Sequence, residues 1–292
     1  MTEIRAFIGL LYLAGIHKSS HVNVRDIWNT DGTGLEIFHR TMSYNRFLFL
    51  MRCIRFNDIT DRSSRRAQDK LAPIRSIFEK FVANCQHVYS LGEFVTIDEK
   101  LEPFRGKCSL RQYIPSKPAK YGIKIFALVV SRTFYTWNLE IYAGAQPEGP
   151  YKVENTPDKI VRRLLEPIYN SGRNLAVDNW YTSYSLAKDL LQKKITFEGT
   201  VRKNKRELPE EFISGKKREV YSSLFGFQAV NIRFAILTPV PSDDNTGEHN
   251  SERERERERE RENMNPYMRL LNKVNSISNL KNAKIQIMMS DF

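Results

Sequence analysis

The apolar residues of this chain change their spacing at Leu91, and that change restricts the available folds more than any other feature. Upstream, Ile4, Phe7, Ile8, Leu11, Ala14 and Gly15 recur at helical spacing, which predicts a buried amphipathic helix ending near Gly15. Ser43 is placed to cap a second helix whose apolar face is Phe47, Leu48, Leu50, Met51 and Ile54. A third is predicted over Leu71 to Tyr89, with Ile74, Ile77, Phe78, Phe81 and Val82 on one side. Residues 1–90 therefore read as all-helical. Downstream, strand-like runs at Phe94 to Ile97, Ile123 to Val130 and Trp137 to Tyr142 come in succession. They give way to a helix from Pro157 to Leu165, a strand Asn174 to Val177, a helix Ser183 to Leu191 and a strand Phe197 to Val201. A meander joined to alternating helix and strand is what a mixed α/β sheet with flanking helices requires.

Several folds share that order, and one is the ribonuclease-H-like fold, in which the first and fourth strands lie side by side and each presents a carboxylate to a divalent metal. Two aspartates fit those places. In Phe94 to Asp98, the alternation sends Val95 and Ile97 toward a core and leaves Asp98 on the side of Phe94 and Thr96. Asp178 falls where the apolar run Leu175-Ala176-Val177 stops and a helix is about to start, the usual place for a ligand-facing residue in α/β sheets. An aspartate at such a junction also serves as an ordinary turn or cap residue. The two together make the metal reading, because hard carboxylate oxygens suit Mg²⁺ or Mn²⁺.

The chain of 292 residues carries a formal net charge of +12, which favours a polyanionic partner. Its cations cluster. Arg105, Lys107, Arg111, Lys117, Lys120 and Lys124 follow Asp98 in one loop, and Arg202, Lys203, Lys205 and Arg206 follow the strand that ends at Val201. Lys216, Lys217 and Arg218 form a third group. Together these would line a DNA path by phosphate contact. Tyr113, Tyr121, Trp180 and Tyr181 lie among them, where stacking on unpaired bases and packing against a sheet edge are both open. Arg46, Arg52 and Arg55 on the second helix read either as phosphate contacts or as a solvated face. Cys53, Cys85 and Cys108 have neither zinc-site spacing nor an even count for a disulfide framework, which fits a reducing compartment. The apolar run Ala6 to Ile16 is too short for a bilayer, which needs about 20 residues, and it lacks a basic leader.

Five blocks then carry a family resemblance: TIDE at Thr96 to Glu99, FRGKC at Phe104 to Cys108, YIPSKPAKYGIK at Tyr113 to Lys124, DNWYTS at Asp178 to Ser183 and GTVRKNKRELP at Gly199 to Pro209. In order and in type they resemble PiggyBac-type transposases and their domesticated derivatives, and MSYNRFLFLMRCIRFND at Met42 to Asp58 resembles that family's helical portion. The resemblance implies a DDD transposase with a ribonuclease-H-like core flanked, over residues 1–90, by a helical dimerisation and DNA-binding region, acting in the nucleus on double-stranded DNA at TTAA sites, as a possible homodimer. It implies no membrane and no small-molecule cofactor. Three aspartates of the family hold two divalent metals about 4 Å apart, which stabilise the entering and leaving oxygens of in-line attack on phosphorus. By motif, Asp98 and Asp178 correspond to the first two.

The third belongs to a GGVD-type segment, and none follows Asp178 in this sequence; Asp189, Asp243, Asp244 and Asp291 do not match it. Residues 91–240 are thus expected to form a catalytic-core-like domain, incomplete for strand transfer. Residues 241–292 read as a polar linker, a strict Glu-Arg alternation from Glu252 to Glu262 and a tail without a periodic face. Two functions stay open: a metal-dependent transposase, and a non-catalytic DNA-binding derivative.

Overall fold

The computed structural model describes residues 2–19, 22–202, 205–213, 223–228, 232–237 and 284–289. The chain divides into two compact units, Met1–Phe78 and Glu79–Phe292. The basic group at Lys216 to Arg218, the Glu-Arg alternation and Lys203 lie outside the described residues.

The first unit is helical: α1 (Thr2–Ile16), α2 (Glu36–Thr41), α3 (Tyr44–Cys53), α4 (Arg62–Gln68) and the start of α5 (Arg75–Val88). Its core gathers Phe7, Leu10, Ile27, Trp28, Phe38, Met42, Phe47 and Leu50. Trp28 sits among Phe38 and Phe47, at ring separations of 5.1 and 4.8 Å, and its indole N–H donates to the Met42 carbonyl at 2.8 Å. That bond satisfies the one polar atom of a buried indole. Ser43 Oγ accepts from the Arg46 N–H at 3.3 Å and begins α3, as the sequence predicts. Two expectations need correction. The buried stripe of α1 is Phe7 and Leu10, while Ile4, Ile8 and Leu11 are exposed; α5 has no buried residue and leaves Ile77 and Phe81 exposed. Helical spacing locates a face but not what covers it. Arg46 pairs with Glu3 through two bonds of 2.5 and 2.7 Å, and Arg55 donates to the carbonyls of Arg52 and Ile54, so these cations are engaged along the helices.

The second unit is built on a nine-stranded mixed sheet. Its strands are β1 (Phe94–Pro103), β2 (Arg111–Tyr113), β3 (Tyr121–Val130), β4 (Thr136–Ile141), β5 (Asn174–Val177), β6 (Thr196–Val201), β7 (Ser223–Gln228), β8 (Ile232–Leu237) and β9 (Lys284–Met289). The spatial order is β2-β3-β1-β5-β6-β9-β8-β7, with β4 also paired to β3. β1 runs antiparallel to β3 and parallel to β5, and β5 runs parallel to β6. An antiparallel meander at β4, β3 and β1, continued by parallel β5 and β6, is the ribonuclease-H-like arrangement.

The parallel part explains the sequence of β5. A strand flanked by two parallel neighbours is covered on both faces, and all four of its residues are buried. On one face Val95, Ile97, Leu175, Val177 and Phe197 pack with Ile160, Val161, Leu164 and Leu165 of α6 (Pro157–Leu165) and with Leu186, Ala187 and Leu190 of α7 (Tyr184–Gln192). Each such side chain contributes about 1.5–3 kcal/mol when withdrawn from water. The tail differs from expectation, since β9 pairs antiparallel with both β6 and β8. An unpaired β6 edge needs a partner, and the short alternation Lys284-Ile285-Gln286-Ile287 supplies one.

Candidate functional site

The paired register of β1 and β5 ends at Ile97 opposite Val177. The next residue of each strand is an aspartate, Asp98 and Asp178. Neighbouring strands lie about 4.8 Å apart, so the register delivers two carboxylates from distant parts of the chain to one place. Both are exposed.

Backbone donors orient each of them. The Glu99 N–H donates to Asp98 Oδ1 at 2.7 Å, and the Trp180 N–H donates to Asp178 Oδ1. Among the described residues no donor reaches the Oδ2 of either. The Asp178 carbonyl accepts from the Tyr181 N–H at 3.2 Å and the Thr182 hydroxyl at 2.8 Å. Ser183 Oγ then accepts from the Leu186 N–H at 3.3 Å and starts α7. The segment Asp178 to Ser183 is thus an Asx-type turn run into a helix cap, which fixes the aspartate against the sheet. Gly199 of β6 makes room for it, because a Cβ there would overlap the Thr182 hydroxyl.

Although Asp98 reaches solvent, protein packed around its carboxyl removes part of its hydration, and that is the largest influence raising it above the ordinary value of 3.8. The Glu99 N–H bond opposes that rise; the Glu99 charge adds to it, Lys117 opposes it, and Asp178 adds to it least. A carboxyl raised by poor hydration and by two negative neighbours is one that a cation would restore to its charged form. The donor set, two carboxylates whose Oδ2 atoms have no hydrogen-bond partner among the described residues, fits Mg²⁺ or Mn²⁺. Among the described residues no three His, Cys, Asp or Glu side chains come together as a metal site.

Two neighbours were not legible as part of this site. Glu99 receives Lys117 Nζ at 3.1 Å and the Tyr181 hydroxyl at 3.4 Å. Tyr181 is buried, and that burial, followed by the charges of Glu99 and Asp98, pushes its hydroxyl pKa far up, so it stays protonated and acts as a donor. The only advance signal was the position of Glu99 beside Asp98 in TIDE.

The predicted cations fall into separate places. Lys117 joins the acids through Glu99. Lys124 Nζ lies 4.9 Å from the Phe126 ring and 4.8 Å from the Trp180 ring, an engaged cation on an aromatic bed. Arg202 donates to Asn179 Oδ1 at 3.3 Å, which draws the β6 end toward the Asp178 turn. Arg105, Lys107, Arg111 and Lys120 are exposed along the β1–β3 connection; Arg206 is exposed and Lys205 half-buried. Asp189, on α7, pairs with Arg162 and with Lys193 at 3.4 Å.

Comparison with known proteins follows this geometry. The family model described as Transposase IS4 matches residues 1–241. The human PiggyBac transposable element-derived protein 3 is 22% identical over 228 residues, covering 75% of this chain and 37% of its own length. The human PiggyBac transposable element-derived protein 2 is 23% identical over 209 residues, covering 70% and 34%. A piggyBac transposase solved by cryo-EM in a synaptic complex with hairpin DNA aligns with 99% of this chain and 52% of its own, at a TM-score of 0.79 and 32% identity. The chain therefore spans about a third of the length of these curated relatives and about half of that solved chain.

Proposed function

The chain belongs to the Transposase IS4 family and is of the PiggyBac type, and from that premise we propose that its sheet domain binds double-stranded DNA and holds a divalent cation between Asp98 and Asp178. The observation that carries this reading is the parallel β1–β5 register that ends with an aspartate on each strand. The solved relative in complex with hairpin DNA supports the nucleic-acid half of it.

The residues divide the work. Asp98 and Asp178 offer the cation their Oδ2 atoms, each carboxylate held by a backbone N–H at Oδ1. Asp98 and Asp178 would hold a Mg²⁺ or Mn²⁺ ion, which when bound would supply charge neutralisation and activation of water for strand cleavage. Lys117 balances Glu99 beside the pair, and Tyr181 keeps Glu99 oriented. Arg105, Lys107, Arg111, Lys120, Arg202, Lys205 and Arg206 meet phosphates, with Lys124 held beside Trp180. The same reading places the chain in the nucleus as a homodimer, without a membrane or a small-molecule cofactor.

The resemblance implies a third carboxylate; among the described residues Asp189 is paired with Arg162 and Lys193, and Asp243, Asp244 and Asp291 lie outside them. The reading is accordingly of a DNA- and cation-binding transposase domain that does not by itself complete strand transfer. An active metal-dependent transposase is the second reading, supported by the side-by-side placement of Asp98 and Asp178 that follows from the β1–β5 register. A labelled blunt duplex titrated against the full chain over a salt series tests the first: affinity should fall steeply and linearly on a log–log plot. A flat slope would contradict phosphate contact. Nicking of a hairpin substrate in Mn²⁺ by the wild type but not by Asp98→Ala would establish the second reading.

A further inference from the structure

Four aromatic side chains lie among the cations of this domain, and their burial sorts them. Tyr181 is 1% exposed, and half-buried Trp180 is stacked 6.1 Å from Phe126, so the one lies in the core and the other packs against it. Tyr113 and Tyr121 are 57% and 43% exposed. They are directly opposed across the β2–β3 pair, with ring centroids 4.7 Å apart and planes tilted by 35°.

The register places that pair on the face of the sheet that carries Asp98. Asp98 is paired with Ala127, Lys100 with Ile125 and Glu102 with Ile123, and Tyr121 is the next alternate residue of β3. On β2, Arg111 is paired with Ile123 and Tyr113 with Tyr121, so both share the same face. Ala127 and Tyr121 are six residue steps apart along β3, about 20 Å at a rise of about 3.3 Å per residue. The platform thus stands a few nucleotides from the acids, on a continuous surface.

It is also held in place. Arg111 Nη1 donates to the carbonyls of Arg105 and Gly106 at 3.0 and 3.2 Å, and its guanidinium lies 5.5 Å from the Tyr121 ring centre. The Ile114 N–H donates to the Lys120 carbonyl at 2.8 Å and closes the hairpin. Gly122 lets β3 approach β1 next to Tyr121, since a Cβ there would meet the Glu102 carbonyl. From Phe104 to Lys124 the sequence contains no acidic residue. Exposed aromatic faces in a wholly cationic segment match a partner that offers flat rings and negative charge together, namely a nucleic-acid strand with an unpaired base. Duplex bases are already stacked on one another and present no face.

We propose that Tyr113 and Tyr121 form a stacking platform for an unpaired DNA base, on the strand whose phosphates lie toward Asp98 and Asp178. This rests on the DNA-binding reading above. The test compares three probes on the full chain by fluorescence anisotropy: a blunt duplex, the same duplex with a short single-stranded overhang, and that overhang made abasic. Wild type should prefer the overhang, and the preference should vanish with the abasic probe. Tyr113→Ala with Tyr121→Ala should weaken overhang binding about 5- to 150-fold while leaving the blunt duplex within about twofold. Tyr113→Phe should retain the preference, which excludes mere loss of the hydroxyl. Equal weakening on all probes, or no change on any, would overturn the platform while the DNA-binding reading stands. Absence of wild-type binding to all three probes would overturn both.

Discussion

Ile97 of β1 and Val177 of β5 are paired in parallel register, and each is followed by the aspartate that ends its buried run. The relationship turns hydrophobic burial into chemistry. Because Ile97 and Val177 are paired and both buried in one core, the residues after them, Asp98 within β1 and Asp178 just past the end of β5, are set side by side. A slip of one residue in that register would separate the carboxylates and expose the core, so packing and site geometry select the same pairing.

Glu198 gives a pH dependence to stability. It is buried on β6, and desolvation alone raises its pKa from 4.5 to about 7. Between about pH 4.5 and 7 the unfolded chain releases this proton and the folded chain keeps it, so stability is highest below that window and falls as pH rises through it. The loss approaches roughly 3 kcal/mol by neutral pH. Urea unfolding of Glu198→Gln across that range should show the slope reduced and the variant more stable than wild type above pH 7. An unchanged slope would assign the dependence elsewhere.

Gly199 tests how the Asp178 turn is seated. Gly199→Ala drives a methyl group into the Thr182 side chain, which should destabilise the domain by about 1–3 kcal/mol. Thr182→Ala alone loses the bond to the Asp178 carbonyl, yet in combination it should relieve the overlap. The double variant is expected to be more stable than the sum of the two single losses, by more than about 0.5 kcal/mol in a thermodynamic cycle. Strict additivity would place the two side chains apart.

Much of this architecture was legible in the residues. Pro157–Leu165 and Asn174–Val177 form the helix and strand the sequence predicts, one because Pro opens an apolar helical face, the other because a doubly covered strand is continuously apolar. The turn at Asp178 is local, and so is its signal. Elements held by distant partners were harder to read. Arg111–Tyr113 is too short and polar to announce itself as a strand, and only the register with Tyr121–Ile123 defines it. The link from Tyr181 to Glu99 joins residues remote in sequence, and no spacing reports it. In the first unit, the face of α1 was misplaced because Ile4, Ile8 and Leu11 satisfy a helical repeat without being covered.

Manganese binding to the full chain, followed by the loss of the free Mn²⁺ paramagnetic resonance signal on titration, tests the paired aspartates most directly. Wild type should bind the ion, and Asp98→Asn or Asp178→Asn should each lower the affinity at least about tenfold. Removing both should lower it little further, because either loss already breaks the pair. Undiminished binding in Asp98→Asn and Asp178→Asn, with the fold intact by circular dichroism, would contradict a cation site between β1 and β5.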